Sequence, residues 1–178
     1  MKPGQEELRA GLADRRIRRS IEPIISPKEL ENEIPLSEAS VETVARGRMG
    51  IEDILNGKNK RKIAIIGPCS IHNVDEAMEY ASRLKQLADD VKDAFLLAIR
   101  LYWEKPRTIT GWPGLIHDPD LNDSGNIEKG LRLARQLARD VAEIGVYAAT
   151  EFLQTYTPQY LADFVSWAAI GARTSESQ

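Results

Sequence analysis

The feature that most constrains this chain is a regular alternation of short apolar runs and helical patterns that begins after Lys62. Apolar and β-branched residues at 63–66, 96–101, 146–152 and 169–172 predict four strands. The segments between them repeat apolar residues at helical spacing, and each is long enough to hold a crossover helix. Strands joined in this way lie parallel in one sheet. The sequence therefore predicts an α/β fold built on a parallel sheet.

The predicted helices have recognisable ends. Asn73, with Glu76 three residues later, and Asn126 are typical N-terminal caps, because their side chains accept hydrogen bonds from unpaired backbone N–H groups. Gly145 is placed to end the helix that begins after Asn126. The dipeptide 157–158, Thr-Pro, predicts the start of a further helix. The apolar face of that helix would comprise Leu161, Phe164, Val165 and Ala168.

Residues 1–60 form an N-terminal extension in this interpretation, with several prolines and no catalytic pattern. Apolar residues recur at helical spacing from Ser37, and Gly57 is placed to stop that helix. Two internal glycines, Gly47 and Gly50, weaken the prediction of a helix there.

Composition narrows the possible functions. The formal net charge is -3, so there is no global basic field for nucleic acid, and acidic neighbours of the basic run at 15–19 favour a solvated or partner-contacting segment. A single cysteine excludes an intramolecular disulfide framework. No stretch is apolar and long enough for a signal segment or a membrane span, so we expect a cytoplasmic protein.

Reactive and charged side chains follow the ends of the predicted strands. Cys69 follows the first strand and Arg100 the second, Glu151 lies in the third, and Arg173 follows the fourth. Because the carboxyl ends of parallel strands meet at one edge, where ligands bind, we expect these side chains to share a site.

Two further cations, Lys105 and Arg107, come soon after the second strand. Guanidinium groups bind phosphate and carboxylate with two parallel hydrogen bonds, whereas an ammonium group acts as a movable charge or proton donor. The pattern predicts a site for a substrate with several negative charges. The alternative is that these are solvated surface charges.

Other members of the predicted site also have simpler interpretations. Cys69 could be a small buried apolar residue. Cys69 and His72 have the spacing of zinc ligands, but two ligands do not make a site and His117 is the only other histidine. Glu151 could orient an inward-facing arginine without contacting substrate.

Four motifs resemble one enzyme family. They are GPCSIH at 67–72, YWEKPRT at 102–108 followed by Gly-Trp at 111–112, EFL at 151–153 and GART at 171–174. In this order and spacing they resemble the class I 3-deoxy-D-arabino-heptulosonate-7-phosphate (DAHP) synthases of the aromatic-regulated type, over almost the whole chain. The resemblance implies a (β/α)8 TIM barrel, of which residues 61–178 form about the first four strands, preceded by an N-terminal helical extension at 1–60.

The resemblance also implies a function. These enzymes are transferases that condense phosphoenolpyruvate with erythrose 4-phosphate to DAHP and phosphate, the first step of the shikimate pathway to aromatic amino acids. Cys69 would be one ligand of a divalent metal, which could be Mn, Fe, Co or Zn. Phosphoenolpyruvate would be held by Arg100, Lys105, Arg173 and the backbone of Ala172, and erythrose 4-phosphate by Arg107 and Thr108. Glu151 and His72 would support this site.

A barrel of this type takes about 250 residues. In the family the other metal ligands, a histidine, a glutamate and an aspartate, lie in the second half, so we expect the chain alone to be inactive. As a half barrel it would expose inward-facing residues such as Ile63, Ile65 and Ile99. The alternatives are a truncated non-catalytic fragment of that enzyme and a small phosphate-binding α/β domain of flavodoxin-like layout.

The extension resembles the family's dimer and feedback segment. The residues that align with its aromatic amino-acid pocket are Glu6, Glu7, Pro158 and Gln159. The expected partners are therefore the two substrates, further copies of the full-length chain and an aromatic amino-acid feedback ligand, with no nucleic acid and no membrane.

Overall fold

The computed structural model describes residues 23–105 and 111–171. Its four strands form one parallel sheet in the order β1-β2-β3-β4. The strands are β1 (Lys62–Ile66), β2 (Phe95–Arg100), β3 (Tyr147–Phe152) and β4 (Trp167–Ile170). A doubly wound sheet reverses its strand order at a switch point, and the described strands show no reversal. The prediction of a parallel α/β sheet is confirmed, and the sequential order is that of a barrel wall.

Between residue 23, where the described part begins, and the sheet lie two helices: α1 (Pro27–Glu33) and α2 (Glu38–Leu55). The helical spacing of apolar residues from Ser37 predicted α2, which Ser37 caps, and Gly57 lies just after its end, as predicted, at a φ of 73°. The sequence analysis did not predict α1. That helix is seven residues long, too short for a clear apolar period, but the capping box formed by Ser26 and Glu29 is a readable start signal.

The crossover helices are α3 (Val74–Asp90) and α4 (Ile127–Glu143). Both predicted caps are confirmed, since the side chain of Asn73 accepts hydrogen bonds from two backbone N–H groups and that of Asn126 from one. Gly145 adopts a φ of 78° just after α4, a conformation that favours glycine.

The last predicted helix is shorter than the sequence pattern suggested. It comprises α5 (Pro158–Leu161) and a 3₁₀ turn, Ala162–Phe164. Ala168 therefore lies in β4, which begins at Trp167 rather than at residue 169. The apolar residues from 164 to 170 run almost without interruption, and such a run does not distinguish the end of a helix from a buried strand.

The two faces of the sheet have different surroundings. Leu97 and Ile99 of β2 pack with Ala148 of β3 in the core beneath α3 and α4. Side chains alternate along a strand, so Arg100 and its neighbours in register point to the other face. Ile99 is completely buried under the helices, and the prediction that it faces the barrel interior was wrong.

Helix α2 covers the amino-terminal end of the sheet. A Cβ atom at Gly47 would lie 2.3 Å from Ser166 Oγ, just before β4, and 2.8 Å from the ring of Tyr147 at the start of β3. At Gly50 it would lie 2.7 Å from Leu96 Cδ1 in β2. The two glycines that weakened the helix prediction thus allow α2 to pack closely against the sheet. Among the described helices, none is both long and apolar enough to cross a bilayer.

Candidate functional site

The loops that follow β1 and β2 are joined at the carboxyl edge of the sheet. The carbonyl oxygen of Tyr102 accepts hydrogen bonds from the Ile71 N–H at 2.7 Å and the Ser70 hydroxyl at 3.0 Å. Gly67 lies so close to Arg100 that an added Cβ would be 3.0 Å from that residue's backbone nitrogen. Cys69 lies between Gly67 and Ser70 in the sequence, so these contacts place it beside the start of the loop that follows β2.

Cys69 and Lys105 are in direct contact. Cys69 is exposed, so the interpretation as a buried apolar residue was wrong. The ammonium group of Lys105 donates a hydrogen bond to Cys69 Sγ at 3.0 Å. This hydrogen bond and the charge of Lys105, with a smaller contribution from Arg100, lower the pKa of the Cys69 thiol. The site therefore favours a thiolate beside two cations.

Arg100 is held in place by the loop after β1. Its Nη1 donates to the carbonyl oxygen of Pro68 at 2.7 Å and also to that of Cys69. The guanidinium carbon lies 3.4 Å from the centre of the Tyr102 ring, in a cation–π arrangement. Arg100 is therefore a fixed cation of this site and not a freely solvated surface charge.

Glu151 lies on β3, half-buried, beside the end of β4. An added Cβ at Gly171 would be 3.2 Å from Glu151 Oε1 and 2.4 Å from Leu153 Cδ2, so glycine permits this close approach. Within the described ranges Glu151 makes no ion pair with Arg100, whose guanidinium binds main-chain carbonyls instead. Glu151 therefore does not orient Arg100, and its pairing with another inward-facing arginine stays a prediction.

Several predicted site residues lie outside the described residues. They are Arg107, Thr108, Ala172 and Arg173, together with Glu6 and Glu7 of the extension. Of the other residues aligned with the feedback pocket, Pro158 and Gln159 lie in α5.

The two histidines considered as zinc ligands have other partners in the structure. The side chain of His72 is 54% exposed, and its Nε2 lies 3.9 Å from Glu76 Oε2 of α3. His117 Nε2 lies 3.0 Å from the hydroxyl oxygen of Tyr156. No group of three or more His, Cys, Asp or Glu side chains placed to bind a metal occurs among residues 23–105 and 111–171. The exposed Cys69 thiolate fits a divalent metal as one ligand, and the described part of the chain supplies no complete set.

Glu104 was missed as a functional candidate. Its side chain is only 2% exposed, and Oε2 accepts hydrogen bonds from the Leu153 N–H and the Thr157 hydroxyl, both at 3.2 Å. Burial, with a smaller contribution from the charge of Glu151, raises the pKa of Glu104 to about 7. A carboxyl group that is part neutral at physiological pH therefore lies next to Lys105. The one available signal was its place in an apolar stretch, LYWEK.

Comparison with known proteins identifies the relatives of this chain. A model of the DAHP synthetase I family matches residues 30–178. A phospho-2-dehydro-3-deoxyheptonate aldolase from Amycolatopsis methanolica is 46% identical over 175 residues, which cover 98% of this chain and 86% of that protein. The Trp-sensitive phospho-2-dehydro-3-deoxyheptonate aldolase of Escherichia coli K12 is 51% identical over 158 residues, or 89% of this chain and 45% of that protein.

A solved structure agrees with this assignment. The phospho-2-dehydro-3-deoxyheptonate aldolase of Francisella tularensis SCHU S4 superposes with a TM-score of 0.86 at 46% sequence identity, covering 91% of this chain and 48% of that one. The chain thus spans about half the length of the E. coli and Francisella proteins. The family match, the sequence identities and the shared fold together establish that the chain belongs to the DAHP synthetase I family.

Proposed function

We propose that this chain carries the phosphoenolpyruvate-binding half of a DAHP synthase site, which joins phosphoenolpyruvate to erythrose 4-phosphate in the first step of the shikimate pathway. The observation that carries the proposal is the contact of Lys105 Nζ with Cys69 Sγ at 3.0 Å, beside the fixed guanidinium of Arg100. It lies at the carboxyl edge of a parallel sheet, where barrel enzymes bind substrates. Relatives at 46–51% identity are named phospho-2-dehydro-3-deoxyheptonate aldolases, which supports this function.

The cations divide between the two substrates in this proposal. Arg100 and Lys105, with Arg173 and the backbone of Ala172, bind the phosphate and carboxylate of phosphoenolpyruvate. Arg107 and Thr108 bind the phosphate of erythrose 4-phosphate. As C3 of phosphoenolpyruvate bonds to the aldehyde carbon, the aldehyde oxygen gains negative charge and takes a proton from Lys105 Nζ. Water adds to C2 of phosphoenolpyruvate, and the C2–O bond to phosphate then breaks to release phosphate. Arg100 stays in place throughout, because the Pro68 and Cys69 carbonyls hold it, and it stabilises charge on the phosphate.

Cys69 is the proposed metal ligand of this half. When bound, a divalent metal would polarise the aldehyde carbonyl as a Lewis acid. The thiolate character of Cys69 and its exposure fit this role. His72 lies toward Glu76 and is assigned a supporting part in the loop between β1 and α3. We assign the cytoplasm as the compartment, because its reducing conditions keep such a thiol free.

Feedback and assembly belong to the proposal as well. Relatives are named Trp-sensitive, Phe-sensitive and tyrosine-inhibited. We propose that the surface that includes Pro158 and Gln159 takes part in the response of a homo-oligomer to an aromatic amino acid.

The alternative candidate is a chain that binds phosphoenolpyruvate without turnover. It is favoured by the observation that the described residues provide no group of three metal-ligating side chains.

A chimera tests the proposed function. This chain would replace the aligned part of the E. coli Trp-sensitive relative, which it covers over 158 residues. We expect the chimera to consume phosphoenolpyruvate in a reaction that requires both erythrose 4-phosphate and Mn²⁺. Cys69→Ser and Lys105→Met should abolish it, whereas Arg83→Ala, at an exposed cation of α3, should not. A folded chimera in which Lys105→Met turns over normally would contradict the proposal. The 178-residue chain assayed alone should be inactive.

A further inference from the structure

Glu104 has no part in the proposed chemistry, yet its carboxyl group is buried. Ionisable side chains are seldom fully buried unless other groups satisfy them. Here one oxygen, Oε2, accepts two hydrogen bonds, while Oε1 has no hydrogen-bond partner among the described residues. The structural role of Glu104 therefore follows from the two hydrogen bonds that Oε2 accepts.

Both donors to Glu104 belong to the connection between β3 and α5. The Leu153 N–H lies just after β3, and the Thr157 hydroxyl just before α5. That hydroxyl is also 3.1 Å from the carbonyl oxygen of Gln154, which keeps the connection compact. A single carboxyl group therefore ties the loop after β2 to the loop after β3, across 49 and 53 residues of sequence.

The backbone around Glu104 is held from the other side by its own loop. The Lys105 N–H donates to the Pro113 carbonyl at 3.0 Å. Gly114, at a φ of 110°, lies where an added Cβ would be 2.6 Å from the Trp103 carbonyl oxygen and 2.7 Å from Glu104 Cα. The segment 103–105 thus lies between residues 113–114 of its own loop and the connection after β3. Lys105 projects from it to reach Cys69 at 3.0 Å.

We propose that Glu104 is a positioning residue, whose buried carboxyl group anchors the loop after β2 to the β3–α5 connection and so holds Lys105 against Cys69. The inference rests on the proposed function for the role of Lys105, but the anchor itself can be measured without turnover. Both partners of Oε2 are donors, so the anchor needs an acceptor oxygen and not a negative charge. The amide oxygen of glutamine can replace it.

Alkylation of the thiol tests this inference directly. The chain has one cysteine, so reaction with iodoacetamide in EDTA reports on Cys69 alone. A nearby Lys105 increases the thiolate fraction and speeds the reaction at pH 7. We expect Glu104→Ala to slow alkylation by roughly three- to tenfold, as Lys105→Met does, and Glu104→Gln to stay within about twofold of the unaltered chain.

Three results would overturn the inference. The first is a Glu104→Ala chain that reacts as fast as the unaltered chain while Lys105→Met reacts slowly. The second is a Glu104→Gln chain as slow as Glu104→Ala, since charge and not the anchor would then matter. The third is a Lys105→Met chain that reacts at the unaltered rate, because Lys105 would then not lie against the thiol.

If circular dichroism shows that Glu104→Ala does not fold, a second pair of variants tests the same anchor. Thr157→Val removes one donor to Oε2 at nearly constant volume, and Thr157→Ser keeps it. We expect slower alkylation in the valine variant and an unchanged rate in the serine variant, and equal rates in both would contradict the anchor. The unaltered chain could fail to bind phosphoenolpyruvate while the variants show the expected alkylation rates. That outcome would contradict the proposed function but would still support the anchor.

Discussion

The guanidinium group of Arg135 is buried and forms two parallel hydrogen bonds with the carboxylate of Asp163, at 2.8 and 2.7 Å. Its Nε donates to the carbonyl oxygen of Ile34, after α1, and its Nη1 also donates to that of Tyr160, in α5. The guanidinium carbon lies 4.7 Å from the centre of the Phe164 ring. One side chain of α4 thus connects the N-terminal helices to the turn that precedes β4.

Replacing Arg135 should therefore destabilise the whole fold. Arg135→Met would leave Asp163 and two carbonyl oxygens without their donor, and we expect a loss of about 3–5 kcal/mol in the free energy of unfolding in urea. Arg139→Met is the matched control on the same helix, because Arg139 forms a partly exposed pair with Glu143. It should cost less than about 1 kcal/mol. Equal losses in the two variants would contradict the role of Arg135.

Glu104 should make stability fall as pH rises. Its pKa in the folded chain is raised from 4.5 to about 7, so the folded state binds the proton more tightly than the unfolded state does. The stabilisation is complete below about pH 4.5 and is lost as pH rises through 7. Over this window the loss should amount to roughly 3 kcal/mol, chiefly because burial removes the carboxylate from water, with a smaller contribution from the charge of Glu151.

Urea unfolding of the unaltered chain and of Glu104→Gln, at pH 5 and pH 8, measures this effect. The glutamine variant cannot ionise and should lack it. Burial lowers the pKa of His117, which destabilises the fold at acidic pH, but this contribution is present in both chains and cancels in the difference. A difference between the chains that does not change with pH would rule out titration of Glu104 near neutrality.

The close approach of α2 to the sheet predicts a contrast between its two internal glycines. In Gly47→Ala the new Cβ meets Ser166 Cβ and the Tyr147 ring at 2.8 Å, whereas in Gly50→Ala it meets the end of the Leu96 side chain. Both variants gain the same helix propensity, about 1 kcal/mol. The difference in unfolding free energy therefore isolates overpacking, and Gly47→Ala should be less stable by about 1–3 kcal/mol. Equal stabilities would show that α2 can shift freely.

The sequence predicted the elements whose signals are local. The four strands and the caps at Asn73 and Asn126 follow from residue type and period. Cys69, Arg100 and Lys105 follow strand ends in the sequence and lie together in the structure, because parallel strands end at one edge of the sheet. The resemblance to known motifs supplied the substrates, which local pattern could not.

Other features depend on contacts distant in sequence. The role of Glu104 depends on Leu153 and Thr157, which lie 49 and 53 residues later and donate hydrogen bonds to its carboxyl group. Arg135 lies within the apolar pattern of α4 and is buried only because Asp163 and two carbonyl oxygens surround it. A single sequence holds no local signal for such partners. The end of α5 was missed because its apolar residues continue into β4.

Calorimetric titration of phosphoenolpyruvate into the chain tests the central claim most directly. We expect measurable binding that Arg100→Ala weakens at least tenfold, about 1.4 kcal/mol or more, because a charge-assisted hydrogen bond is lost. Lys105→Met should weaken it similarly, and Arg83→Ala, with an exposed side chain on α3, should leave it unchanged. Binding that is equally strong in all four chains would contradict a phosphoenolpyruvate site built from Arg100 and Lys105 at the carboxyl edge of this sheet.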